Sequence, residues 1–261
     1  MNYQLHHGDC LDVIRLMPDA AFTYGITSPP YNLGNDSWDM GVSGSGVRKG
    51  IGYVNHSDSM NQADYEAWQV ELLNELYRAA SPGASFFYNH KTRTLNGELI
   101  HPMRWLSQSR WVIRQEIVWD RISTHNHEPR LFWPVDERIY WLTKGKPTLR
   151  DVNVGLPSVW REFGPVNNTW HPAPFTIALP RMLLKSVNAQ AGDTIIDPFA
   201  GSCTTIKAAL EIGCNAIGID KCGEYLARAR MEIDDWIRAN RKQMKCLVGK
   251  ASDTADLPLF A

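Results

Sequence analysis

Two short segments carry residue types and spacings that can do chemistry. In Thr27-Ser28-Pro29-Pro30-Tyr31-Asn32 a hydroxyl, a proline carbonyl and an aromatic ring fall within four consecutive positions. Ser28 Oγ and the Pro29 carbonyl are acceptors suited to the two hydrogens of a planar amine, and proline offers its carbonyl without an N–H that competes. Tyr31 can cover the face of the ring that carries the amine, while Pro30 stiffens the approach. The second segment is Asp197-Pro198-Phe199-Ala200-Gly201-Ser202-Cys203-Thr204-Thr205. It reads as a glycine-containing turn of the kind that lets a nucleoside approach the backbone closely. The chemistry implied is a reaction at an exocyclic amine beside a bound nucleoside cofactor.

The surrounding sequence predicts elements able to hold these segments. Residues 11–17 form a short helix after Gly8-Asp9-Cys10, and 21–27 form a buried strand that stops before Pro29, which leaves Ser28 at a carboxyl-end rim. From 32 to 59 the chain is rich in Gly, Ser and Asp and contains Arg48-Lys49. This stretch reads either as a surface excursion or as a flap that orders on DNA or cofactor. A helix over 65–80, ended by Ser81-Pro82-Gly83, feeds a strand over 84–88, and further strands fall at 111–119 and 138–142. The rhythm is that of an α/β sheet. After Pro172, Pro174 and Pro180 come a helix at 181–189, a strand at 194–196, a helix at 204–210, a strand at 216–219 ending on Asp220, and a helix at 224–237. A strand, glycine turn, helix and acid-ended strand in that order point to nucleotide binding more firmly than a glycine pattern alone.

Composition sets the outer limits. With 261 residues and 44% hydrophobic content, the chain can build one substantial core, read as one catalytic domain with a subordinate recognition region. The net charge of -1 argues for no global affinity for nucleic acid. Residues 91–150, however, hold eleven Lys or Arg against six Asp or Glu, a band suited to phosphates. The five cysteines, Cys10, Cys203, Cys214, Cys222 and Cys246, are scattered and odd in number, unlike a disulfide framework or a metal set. A polar start and the lack of a long apolar run predict a soluble, cytoplasmic protein with no membrane segment.

Taken together, from residue 8 to residue 236, the chain resembles the DNA amino-methyltransferases of the beta arrangement, in which the catalytic segment precedes the cofactor segment. Ser28-Pro29-Pro30-Tyr31 corresponds to their catalytic tetrapeptide. His171-Pro172-Ala173-Pro174-Phe175 resembles the lead into their cofactor half, followed by the Asp197 turn and Gly218-Ile219-Asp220. The resemblance implies an S-adenosyl-L-methionine-dependent methyltransferase fold, a mixed sheet with flanking helices and circularly permuted motif order. It divides the chain into a catalytic half (1–119), a target-recognition insertion (120–169), a cofactor half (170–240) and a flexible tail (241–261). Two positions depart from the family: Cys203 stands where glycine is usual, and Asp220 where a longer glutamate is common.

The roles implied are specific. Asp197 contacts the methionine part of the cofactor or organises its turn. Pro198, Phe199 and Ala200 shape the pocket, and Gly201 and Ser202 permit close approach. Asp220 addresses the ribose, and Asp9 the adenine edge or the methionine portion. His171 serves either packing or the cofactor side. For DNA the candidates are Arg48, Lys49, Lys91, Arg93, Arg121, Arg130 and Lys144, with Arg130 open to either a phosphate or a guanine edge. His125 and His127 lack partners for a metal site, and no metal is expected.

Serine before Pro-Pro-Tyr is more usual in cytosine-N4 than in adenine-N6 enzymes, so the expected reaction leans to cytosine N4, with adenine N6 close behind. Methylation of RNA or a protein amide, and a nonenzymatic DNA-binding module, are the other readings. Duplex DNA is the expected partner, and relatives that pair suggest a homodimer. Asp256-Leu257-Pro258-Leu259-Phe260 either docks on the parent domain or resembles a sliding-clamp peptide. By resemblance the protein is bacterial or phage-encoded.

Overall fold

Phe86 and Tyr88 face one side of their strand and Phe87 the other, as the period of two demands, and all three are buried. A strand buried on both faces needs cover on both sides. The computed structural model, which describes residues 2–33, 58–122, 124, 129–148, 156–161, 170–171 and 174–240, supplies it as two helical layers around a mixed sheet. The strands are β1 (Tyr3–His7), β2 (Phe22–Thr27), β3 (Ala80–His90), β6 (Val112–Asp120), β7 (Asp136–Thr143), β8 (Val159–Arg161), β9 (Thr194–Asp197) and β10 (Asn215–Asp220). They lie in the order β1-β10-β9-β2-β3-β7-β6-β8. All run one way except β7, which is antiparallel to β3 and β6. A separate antiparallel pair, β4 (Arg93–Leu95) and β5 (Glu98–Ile100), follows β3.

One face packs on α1 (Cys10–Leu16), α2 (Gln62–Ala79) and α3 (Met103–Leu106), through Ile14, Leu72, Leu76 and Trp105 against Phe86, Tyr88, Tyr140 and Ile196. The other packs on α4 (Ala178–Ser186), α5 (Thr204–Glu211) and α6 (Gly223–Ala239), through Leu183, Ile206, Ala209 and Ile233 against Tyr24, Ile26, Phe87 and Ile195. Side-chain oxygens start the first two helices: Asp9 accepts from Leu11 N–H and Asn61 from Ala63 N–H, each satisfying a backbone donor that a helix end leaves open.

Sheet order creates the crevice. From β9 the chain crosses outward to β10, whereas from β2 it crosses the other way to β3, so the connections diverge between the adjacent strands β9 and β2. Ligands of open α/β sheets bind at such a switch point, above the carboxyl ends of the strands. The segments that follow β2 and β9, Ser28 onward and Pro198 onward, are remote in sequence and meet there beyond neighbouring strands.

Several expectations change in detail. The strand expected at 84–88 begins at Ala80, directly after α2, because Ala80 already pairs with Phe22. Pro82 and Gly83 (φ 79) are absorbed in the register shift between Phe22 and Tyr24. The edge strand β1, too polar to stand out in sequence, is held by parallel pairing with β10. Within the span 120–169, β7 and β8 belong to the main sheet, β7 lying between β3 and β6. Arg48, Lys49, His125, His127, Cys246 and the tail segment Asp256 to Phe260 lie outside the described residues. Cys10, Cys203, Cys214 and Cys222 are buried free thiols. Among the described residues, no helix is long and apolar enough to cross a membrane.

Candidate active site

The carboxyl ends of β1, β2, β3, β9 and β10 share one edge of the sheet, and their continuations are Gly8-Asp9, Ser28 to Asn32, Lys91, Pro198 to Ser202 and Lys221. A buried hydrogen bond joins the two halves: Thr27 Oγ1 donates to Asp197 Oδ1 at 2.9 Å. The same Oδ1 accepts Phe199 N–H at 3.1 Å, so Asp197 shapes the turn that follows its strand. It is 1% exposed. Burial pushes its carboxyl up to about 6, against the hydrogen bonds from Phe199 and Thr27 that favour the anion.

Asp220 ties three segments together. Its Oδ2 accepts Gly201 N–H and its Oδ1 accepts Cys222 N–H, both at 2.8 Å, while its carbonyl accepts Gly8 N–H at 3.1 Å. Gly201 (φ 48) has no room for a side chain, because a Cβ there would lie 2.5 Å from His171 Nε2. His171 packs edge-on to Tyr225 with centroids 4.8 Å apart, and burial holds its imidazole down to about 4. Cys203 is itself left-handed (φ 57, ψ 34) and buried, which explains why glycine suits this position. Pro198 and Ala200 are buried, Phe199 meets Trp68 edge-on at 5.9 Å, and Ser202 Oγ bonds Thr204 Oγ1 at 3.0 Å. Asp9, besides capping α1, pairs through Oδ2 with Lys221 Nζ at 3.0 Å. Its burial, which raises the pKa, is outweighed by Lys221 and Leu11 N–H, and the net shift is downward.

Across the crevice, Ser28 Oγ lies 2.7 Å from Tyr31 Oη, which donates to Glu137 Oε2 at 3.1 Å. Asn89 Nδ2 reaches Tyr31 Oη at 2.8 Å, Glu137 Oε2 at 2.7 Å and Ser28 Oγ at 3.4 Å. Arg121 Nη1 closes the set on Glu137 Oε1 at 2.6 Å. Sequence reasoning missed Asn89 and Glu137. Asn89 precedes His90 at the rim end of β3 and Glu137 stands between Asp136 and Arg138 at the rim end of β7, polar runs whose meaning appears only when β3 and β7 pair.

A second, buried chain supports the proline turn. Tyr65 Oη donates to the Pro30 carbonyl at 2.7 Å and lies 2.8 Å from His90 Nε2. Gln69 Nε2 donates to Tyr65 Oη, Tyr88 Oη donates to Gln69 Oε1, and Trp105 Nε1 donates to Tyr88 Oη. Burial pushes the His90 imidazole down to about 3, so it is neutral, and its single N–H belongs on Nδ1, 2.7 Å from the Lys91 carbonyl. Nε2 is then an acceptor, and the one Tyr65 hydroxyl proton serves both it and Pro30.

Asn32 (φ 56) and Asp58 fasten the chain just beyond the motif. Asn32 exchanges side-chain bonds with the Met60 backbone, and Asp58 accepts from the N–H groups of Asn32 and Leu33.

The candidate DNA residues separate. Lys91 sits 5.8 Å from the Tyr31 ring centroid, its pKa lowered by burial. Arg121 is at the rim with half its side chain exposed, and Arg130 is exposed in the same β6–β7 connection. Arg93 is turned inward, bonding the Asn32 carbonyl and Gln62 Oε1. Lys144 is not brought to the rim. It follows β7 beside Ala84, at the opposite end of the sheet, where Nζ bonds the carbonyls of Ala80 at 2.7 Å and Arg78 at 3.3 Å. The antiparallel direction of β7, invisible in a local charge count, sends it there. Among the described residues, no group of three His, Cys, Asp or Glu side chains is placed to hold a metal.

Comparison with known proteins adds three findings. A family model described as DNA methylase, for N6 and N4 enzymes, matches residues 24–231. The type II methyltransferase M.ScaI of Streptomyces caespitosus is 25% identical, over 88% of this chain and 81% of its own. Among solved structures, PvuII DNA methyltransferase, described as cytosine-N4-specific, superposes with a TM-score of 0.68 at 17% identity, covering 88% of this chain and 86% of that one. A DNA modification methylase of Thermus thermophilus, solved with S-adenosyl-L-methionine, gives a TM-score of 0.61 at 20% identity, covering 89% and 94%.

Proposed function

We propose, from the premise that this chain belongs to the N6/N4 DNA methylase family, that it methylates the exocyclic N4 amine of cytosine in duplex DNA, with adenine N6 as the alternative substrate. One observation carries the reading: the Thr27–Asp197 bond at 2.9 Å, which locks the amine-accepting segment beside the glycine turn. The choice of cytosine rests on Ser28 at the head of the tetrapeptide.

The donor set suits S-adenosyl-L-methionine. Asp9, Asp197 and Asp220 gather carboxylates that complement a cation, Ala200, Gly201 and Ser202 keep the turn low, and Asp220, at the end of β10, is the carboxylate proposed for the ribose diol. When bound, the cofactor supplies an electrophilic methyl group.

The chain's own residues prepare the other reactant. An exocyclic amine is a weak nucleophile because its lone pair is delocalised into the ring. Hydrogen bonds from its N–H groups to Ser28 Oγ and the Pro29 carbonyl favour the pyramidal nitrogen that the new bond requires, and alignment supplies the rest. Tyr31 offers its ring to the extruded base, a contact worth about 1–3 kcal/mol against the few kcal/mol that unstacking costs. As nitrogen gains carbon it loses a proton to Ser28 Oγ, while the serine proton passes to Tyr31 Oη and that of tyrosine to Glu137 Oε2. Tyr65 keeps the proline turn in place by holding the Pro30 carbonyl.

The test is incubation of unmethylated DNA with the protein and S-adenosyl-L-methionine, digestion, and mass spectrometry of the nucleosides. N4-methylcytosine is expected. N6-methyladenine would overturn the cytosine assignment and leave the amine chemistry standing, and no methylated nucleoside would overturn both.

A further inference from the structure

The connection between β6 and β7 leaves and re-enters the sheet at the edge that carries Ser28. Its stem is closed by Arg121 N–H on the Val135 carbonyl at 2.8 Å and by Arg121 on Glu137, the residue that holds Tyr31. At its far side, between Pro129 and Pro134, stand Leu131 (49% exposed), Phe132 (102%) and Trp133 (56%). Single exposed apolar residues are ordinary, but three in succession are unfavourable in water and mark a function. Phe132 is fully exposed, so it contributes nothing to the fold that would account for it.

Position narrows the occupant. Phe132 is five residues from Glu137, a reach of about 17 Å at most when extended, long enough to carry its ring across a groove about 8 Å deep. Lys91, Arg121 and Arg130 put positive charge at the same edge. An aromatic ring carried on a stiff, proline-flanked turn beside the pocket has the shape of a wedge, and apolar wedges inserted between base steps are an established way to open a duplex. We propose that Phe132 enters the base stack at the gap left by the target base, holding the duplex open while that base occupies the Ser28 pocket. This rests on the methyl-transfer reading and deepens it, since it assigns the paired duplex as the form of substrate the site is built to open.

A wedge matters only where a pair must be broken. Once the recognition sequence is mapped, two synthetic duplexes are compared, one with the target base paired and one with it opposite an abasic position. For F132A, single-turnover methylation of the paired duplex at subsaturating DNA is expected to fall roughly tenfold or more, the scale of one lost aromatic stack. The abasic-opposed duplex is expected to be methylated at about the wild-type rate, its target base being cheap to extrude, and F132W is expected to retain activity on both. Equal losses on the two duplexes, or no loss on either, would overturn the wedge. So would a change in sedimentation of F132A in the absence of DNA, which would mean that the patch covers a second copy of the chain. Wild-type transfer to the abasic-opposed duplex is measured first: its absence sinks the methyl-transfer reading and the wedge with it, and its presence puts Phe132 alone at stake.

Discussion

Replacing Asp197 with asparagine isolates the electrostatic cost of building the turn around a buried acid. The folded protein holds this carboxyl up to about 6 against an ordinary value of 3.8, chiefly by burial. A shift of about two units at 1.36 kcal/mol each amounts to about 3 kcal/mol. Because the folded value is the higher one, this stability is fully present below pH 3.8 and is lost as pH rises to about 6, the unfolded chain ionising first. Asparagine keeps an oxygen for Thr27 and Phe199 but cannot ionise. Its NH2 group adds a roughly constant penalty of about 1–3 kcal/mol if left without a partner, which shifts the whole comparison without changing its slope. Urea unfolding of both proteins at a series of pH values from 4 to 8 should therefore show the stability of the asparagine variant, relative to the parent, rising by about 2 kcal/mol between pH 4 and pH 7 and then levelling, the remainder of the effect lying below pH 4. Other titrating groups cancel in the difference. A difference that stays flat across this range would refute the claim that Asp197 is a desolvated carboxyl at the junction of the two halves.

Three further predictions address the rim. Glu137→Gln keeps the size of the side chain but removes the proton acceptor behind Tyr31, and should lower single-turnover methylation about 100-fold, the lower end for lost general-base assistance, with little change in cofactor affinity; an unchanged rate and pH profile would exclude the Ser28–Tyr31–Glu137 route. Tyr65→Phe strands the Gln69 donor and the Pro30 carbonyl, so denaturant unfolding should show a loss of about 1–3 kcal/mol and methylation should fall with KM for DNA nearly constant. Arg121→Ala should reduce the slope of log K against log salt for DNA by about one, whereas Lys144→Ala, at the far end of the sheet, should leave that slope unaltered; equal effects would contradict the assigned faces.

The α/β class and most elements were legible because burial on a strand or helix leaves a period in the sequence. Alternating Phe86, Phe87 and Tyr88, and the stripe of Leu72, Leu76 and Ala79 on α2, record local geometry that any observer of the chain can recover. Local chemistry was legible in the same way: Ser28-Pro29-Pro30-Tyr31 advertises acceptors and a ring, and the Asp197 turn advertises close backbone approach. What failed locally failed for a long-range reason. The polar strand β1 exists because β10 pairs with it, and Ala80 joins β3 because Phe22 lies beside it.

The sequence by itself determined which residues bear the chemical groups and which elements carry them, since hydroxyls, turn glycines and hydrophobic periods are properties of neighbours along the chain. Only the tertiary structure decided that Thr27 meets Asp197, that Asn89 and Glu137 stand behind Tyr31, and that Lys144 points away from the rim. Strand order and direction settle those pairings, and they arise from burying both faces of the sheet at once, a condition that no stretch of the chain satisfies alone.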